Sequence, residues 1–181
     1  MKSYLLGVWN IIDPVYYNFT RLRYVPDDEY CNTLFRVRLT RYKGGEVILN
    51  DGTVIQKNDL LMKIHLHNVK VLNDLTSITS DVKKAVFIYH KVKRSLPKLA
   101  CYIEAHQKTN EIKGIIGITT LYKGASRLGF EIVPIKSSYY RAYKKVTFFP
   151  INLIASKNRL DDPVYLFMSK DELINNYNST I

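Results

Sequence analysis

The sequence predicts an α+β fold, a small and mostly antiparallel sheet with helices packed on it in a single domain. Three observations carry that expectation. Residues 33–42 and 60–67 alternate apolar with polar, the period of a half-buried strand. Between them, Asn50-Asp51-Gly52 supplies the positive φ angles that a tight hairpin needs. From Asp81 the apolar residues recur at helical spacing instead. The 181 residues suffice for one sizeable core, and we divide them into an α+β domain at 1–158 and a C-terminal extension at 159–181.

Taken in order, residues 4–13 carry Leu5, Leu6, Val8, Trp9, Ile11 and Ile12, which suits a half-buried helix stopped by Pro14. Residues 19–25 and 33–42 follow as strands, the second with Phe35, Val37 and Leu39 inward and Arg36, Arg38 and Thr40 outward. Glu46 to Leu49 and Thr53 to Gln56 form the hairpin, and Lys57-Asn58-Asp59 a second turn. In the next strand Met62, Ile64 and Leu66 take one face and Lys63, His65 and His67 the other.

Val82, Ala85, Val86, Tyr89, Val92, Leu96, Leu99 and Ile103 then trace an apolar helical face opposite Lys83, Lys84, Lys91, Arg94 and Lys98. Pro97 divides this stretch, with Ser95 capping a second helix. The β-branched run 112–120 reads as a central strand. A short helix ending at Gly129 and a strand over Phe130 to Ile135 come next. Ser137 or Ser138 starts a helix that Pro150 breaks. The extension holds a strand, Val164 to Met168, and a last helix opened by the capping box Ser169-Lys170-Asp171-Glu172.

Composition narrows the function classes. A hydrophobic content of 46%, with 14 Tyr and 7 Phe, excludes a disordered chain. Cys31 and Cys101 stand far apart without a CxxC partner, so neither a disulfide framework nor a structural zinc site is expected, and a reducing, cytoplasmic compartment fits. No stretch approaches the length of about 20 apolar residues that crosses a bilayer. The formal net charge of +11 points to anionic partners: an anionic lipid surface, an envelope polymer, a phosphorylated metabolite or nucleic acid.

The strongest candidate site is Arg36, Arg38, Lys63, His65 and His67. If the two strands pair with their polar sides together, the arginines fork onto phosphate or carboxylate while the histidines donate or relay protons. The competing reading is an ordinary solvated face. No third histidine or aspartate-rich motif accompanies the His65–His67 pair, so no metal is expected, and no cofactor motif is present. A second candidate is the stretch 138–149, where Tyr139, Tyr140, Arg141, Lys144, Lys145, Phe148 and Phe149 combine aromatics with cations as membrane-surface helices do. Such helices also pack on sheets in soluble proteins.

Taken together, VWNIIDPVYY near the start, RVRLTRYKG, DGTVIQKND, KIHLHN, IKGIIGITT and RLGFE resemble the YkoP-like family of Gram-positive bacteria, over roughly residues 3–155. Related domains occur joined to polysaccharide deacetylases, so the resemblance implies a setting in cell-envelope carbohydrate or glycolipid metabolism. It implies no catalytic residues, and this chain has no deacetylase metal-binding segment of its own. The expectation is therefore a non-catalytic or accessory envelope-associated domain that binds an anionic ligand, cytoplasmic or peripheral to the membrane. Two rivals stand beside it. One is a small enzyme using His65 or His67 as general acid or base on a phosphorylated or glycosylated substrate. The other is a nucleic-acid-binding domain, which needs its basic residues in one continuous groove.

Overall fold

Alternation in the sequence becomes a six-stranded sheet because each strand has one apolar side to bury. The computed structural model describes residues 22–25, 34–66, 71, 74–75, 77–155 and 162–178, with 148–155 described for their backbone only. The expected helix over 4–13 and His67 lie outside the described residues.

The strands are β1 (Arg23–Tyr24), β2 (Phe35–Arg41), β5 (Leu60–Leu66), β6 (Ile112–Thr119), β8 (Val164–Ser169) and β7 (Glu131–Pro134), in that spatial order. The hairpin forms where expected, β3 (Val47–Ile48) pairing antiparallel with β4 (Val54–Ile55), but only Gly52, at φ 84°, takes a positive φ in its turn and Asp51 does not. All pairs in the large sheet are antiparallel except β5 with β6. A parallel pair needs a crossover, and α1 (Asp81–Glu104) lies in the connection between these two strands. The α+β expectation therefore holds, with one parallel pair in the sheet.

Three local expectations change. Pro97 sits inside α1 rather than at the start of a second helix. A proline removes one backbone hydrogen bond without obliging the chain to leave the helix. Ser95 is thus internal and caps nothing: its hydroxyl donates to the Lys91 carbonyl at 2.9 Å and accepts from the Leu34 amide at 3.4 Å. Pro150 is likewise contained within α2 (Ser138–Ala155) and does not end it.

The third change concerns the phase of α1. Val82 and Val86, assigned above to the apolar face, are exposed, whereas Lys84, assigned to the polar face, is buried. Steps of three or four residues back from Leu99 reach Ser95 or Leu96, then Val92, Ile88 and Lys84, so Lys84 lies on the true inner stripe. Its aliphatic stem packs inward while its ammonium reaches Asp81 Oδ1 at 3.4 Å.

Two layers cover the sheet. On one side Leu96, Leu99, Ala100 and Ile103 of α1 and Leu173 of α3 (Lys170–Tyr177) meet Phe35, Val37, Met62, Ile64, Ile115, Leu166 and Met168. Leu96 and Leu99 are fully buried, each worth roughly 1.5–3 kcal/mol by area. On the other side the β3–β4 hairpin packs Leu49 and Ile55 onto Leu61, Ile116 and Phe167 with Tyr42. Its position is fixed by Lys113, whose Nζ meets Asp59 Oδ2 at 2.9 Å and donates to the Val54 carbonyl at 3.2 Å.

The segment set apart above as an extension supplies β8, between β6 and β7, and then α3 beside α1. Ser169 caps α3 by accepting from the Glu172 amide at 2.9 Å, the serine half of the capping-box pattern read from the sequence.

Candidate functional site: a cationic cluster on the sheet

The register of β2 against β5 decides what the polar alternations amount to. Arg36 stands opposite His65 and Arg38 opposite Lys63, so all four side chains share the sheet side away from α1. On β1, Tyr24 pairs with Arg36. The phenol oxygen accepts from Arg36 Nη2 at 2.6 Å, and the guanidinium carbon lies 4.9 Å from the ring centroid. Arg36 is thereby held in place within a buried position.

A fifth group arrives from α2. Lys144, read from the sequence as part of a separate membrane-surface stretch, acts electrostatically on Arg38, Lys63 and His65. Its Nζ also lies 5.4 and 5.5 Å from the ring centroids of Tyr140 and Tyr143. Sequence reasoning missed this partnership because helical and strand periods carry no information about which elements approach one another.

The titration behaviour follows from burial and like charge. Burial, then Lys144 and Arg38, push the Lys63 ammonium down to about 8. Burial, then Lys63, Arg38, Lys144 and Arg36, push His65 down to about 3, so its ring is neutral at pH 7. Lys144 is also lowered, by burial and then Arg38. His65 Nε2 is buried with no hydrogen-bond partner among the described residues. A neutral imidazole here can make a hydrogen bond to a ligand but holds no proton to give as a general acid at pH 7.

The other members of the α2 candidate set divide. Tyr139 is 87% exposed and, with Tyr143 at 55% and Val146 at 73%, forms an exposed apolar stripe at spacings of four and three. Tyr140 faces partly inward, as does Arg141, and Lys145 pairs with Asp162 Oδ1 at 2.8 Å. The side chains of Phe148 and Phe149 lie outside the described residues.

A cleft lined by Asn50, Asp51, Ser126, Gly129, Glu131 and Glu172 lies where the hairpin meets α3, and the sequence had assigned Asp51 to a turn, Glu131 to a strand and Glu172 to a cap. Those structural roles are real. Glu131 Oε1 accepts from the Asn50 amide at 2.6 Å, and Asp51 Oδ1 from the Thr53 amide at 2.9 Å. Among the described residues no three His, Cys, Asp or Glu side chains gather as metal ligands would. Nor is any described helix long and apolar enough to cross a membrane.

Comparison with known proteins places this geometry in a lineage. A profile of the YkoP domain matches residues 2–177. The chain belongs to the YkoP family. A Bacillus subtilis (strain 168) protein, uncharacterized protein YkoP, is 48% identical over 181 residues, covering 98% of this chain and 98% of that one. No solved structure matches the chain. The YkoP match reaches past the resemblance read above at residues 3–155, through β8 and α3.

Proposed function

We propose that this YkoP domain is a non-catalytic or accessory envelope-associated module that binds an anionic ligand through Arg36, Arg38, Lys63 and His65. The observation that carries the reading is the β2–β5 register, which sets two arginines directly across from a lysine and a histidine. Lys144 adds a further positive charge from a different element. Cationic side chains gathered in a partly buried place attract an anion more strongly than the same charges in open water. The envelope setting rests on the association of related domains with polysaccharide deacetylases.

Peripheral attachment to an anionic membrane is the second reading, favoured by the exposed Tyr139, Tyr143 and Val146 stripe on a helix that also bears Arg141, Lys144 and Lys145. One set of measurements tests both. Sugar phosphates, lipid phosphates and wall-polymer fragments are screened by thermal shift, since a ligand that binds only the folded state raises its melting temperature. Binding to anionic vesicles should exceed binding to neutral ones and weaken with salt. The absence of any shift at millimolar concentration would remove the anion site, and equal, negligible sedimentation with both vesicle types at low salt would remove the membrane reading.

A further inference from the structure

We propose that Lys63 is a reactive amine, placed beside His65 on β5 to capture a small aldehyde as an imine. The capture is reversible binding rather than turnover, and it goes beyond the anion-binding reading without depending on it.

A lysine ammonium is ordinarily kept charged by water or by a carboxylate, and in that form it has no lone pair to give. Lys63 is placed otherwise. It stands half-buried in the middle of β5, and among the described residues no carboxylate or carbonyl pairs with its ammonium. Arg38 lies directly opposite on β2, Ile116 is its neighbour on β6, and Lys144 acts on it from α2. His65, two residues along on the same face, brings a buried Nε2 with no hydrogen-bond partner among the described residues. The remaining titratable and charged groups around it are Arg36 on β2, Tyr24 on β1 behind Arg36, and Tyr140 and Tyr143 beside Lys144 on α2; none is a carboxylate. Burial, then Lys144 and Arg38, hold the Lys63 ammonium down to about 8. About a tenth of it is then neutral at pH 7, against roughly three parts in ten thousand for an ordinary lysine. Desolvation and a neighbouring cation are the two means by which a lysine side chain becomes a nucleophile.

The Nζ lone pair bonds to the aldehyde carbon while the carbonyl π pair moves onto oxygen, and a proton passes from nitrogen to that oxygen to give a carbinolamine. The hydroxyl then takes up a proton and leaves as water, nitrogen gives up its remaining proton, and its lone pair closes the C=N bond. Amine and aldehyde become imine and water, with no oxidant or reductant. His65 Nε2 offers the carbinolamine hydroxyl a hydrogen-bond partner beside the amine. The product suits its surroundings, because a neutral imine in place of an ammonium takes one positive charge away from Lys144 and Arg38. An aldehyde is the carbonyl class that fits, since its carbon bears a hydrogen on one side and can approach an amine set among β2, β6 and α2.

The first measurement is competitive acetylation of the full chain with trace acetic anhydride from pH 6 to 11, read lysine by lysine by peptide mass spectrometry. Lys63 should show a labelling midpoint near 8. At pH 7 it should react about tenfold faster than the exposed Lys83 and Lys93 of α1, the gain in neutral amine being partly offset by the lower nucleophilicity of a weaker base. The second measurement is incubation at pH 7 with propionaldehyde followed by borohydride, which reduces an imine to a stable propylamine. Occupancy at Lys63 should exceed that at Lys83 or Lys93 by about tenfold. This probe is uncharged, so its capture is independent of anion binding. Lys63→Arg keeps the charge but removes the nucleophile and should lose the preferred adduct. Lys144→Gln should move the midpoint upward and cut acetylation of Lys63 at pH 7 severalfold. Both maps are made on the native chain, so they decide the matter even where a variant fails to fold. Acetylation of Lys63 no faster than that of Lys83 and Lys93 would overturn the proposal, as would a midpoint near 8 without a preferred propyl adduct.

Discussion

Lys63 and His65 show how a side chain's neighbours convert an ordinary residue into a pH-dependent term in stability. Lys63 titrates at about 8 in the fold against an ordinary value of 10.5, so between those limits the unfolded chain binds more protons than the native one. Native stability from this group therefore declines as pH falls from 10.5 to 8 and stays low beneath that. Lys63→Met keeps the aliphatic stem and removes the charge. It should stabilise the protein at pH 7 by about 1–2 kcal/mol, after allowance for partial solvent screening, and by less at pH 10. Paired urea unfolding of the two proteins at both pH values checks this, and a less stable variant at pH 7 would show the charge to be compensated. His65 has the same sign at lower pH. Its folded value of about 3 lies below the ordinary 6.5, so stability is lost as pH falls through that interval. In His65→Gln the acid side of the stability curve should flatten relative to the parent between pH 6.5 and 3, a difference readable from thermal unfolding across that range.

Within the elements, close backbone approach matters as much as apolar pattern. Gly114 on β6 pairs with Ser169 on β8, and a Cβ at this glycine would stand 2.4 Å from the Met168 carbonyl oxygen. Backbone atoms of a central strand cannot retreat without disturbing the ladder on both sides. Gly114→Ala should therefore cost about 3 kcal/mol, at the upper end of overpacking effects, although alanine is otherwise the mildest of substitutions. Gly117→Ala makes a matched control, because its Cβ would meet only side-chain carbons, the nearest at 3.4 Å. Equal destabilisation of the two variants in denaturant unfolding would show that the β6–β8 approach is not the cause. The glycines of this run were legible as permitting close packing. Which of them faces a carbonyl was not, because that depends on the partner strand's register.

At the scale of the molecule, the last segment of the chain completes the first. β8 lies between β6 and β7, and its Leu166 and Met168 join the main core while Phe167 joins the second. A chain cut after residue 158 should consequently lose its cooperative thermal transition, since β6 and β7 would each lose their shared neighbour. A sharp transition in that shortened chain would mean that residues 159–181 are dispensable to the fold. The sequence by itself determined the local features, because each depends on residues within a few positions of one another. These include the Asp-Gly hairpin, the left-handed position of Gly129, the Ser169 cap and the polar side shared by Arg36 with Arg38 and by Lys63 with His65. It was silent or misleading wherever the answer lay in distant contacts. Pro97 and Pro150 read as breaks, yet each helix runs on, because the cost of an interior proline, about 3 kcal/mol, is one that the rest of the fold can offset and a local reading cannot see. The apolar phase of α1 was misread because Val82 and Val86 are as hydrophobic as core residues, and only tertiary packing decides that Lys84 is buried instead. The candidate site divides along the same line. Strand period alone put its four members on polar faces, but only strand register set the two faces together, and only the placement of α2 brought in Lys144, because side-chain charge attracts or repels in space and leaves no period in the chain.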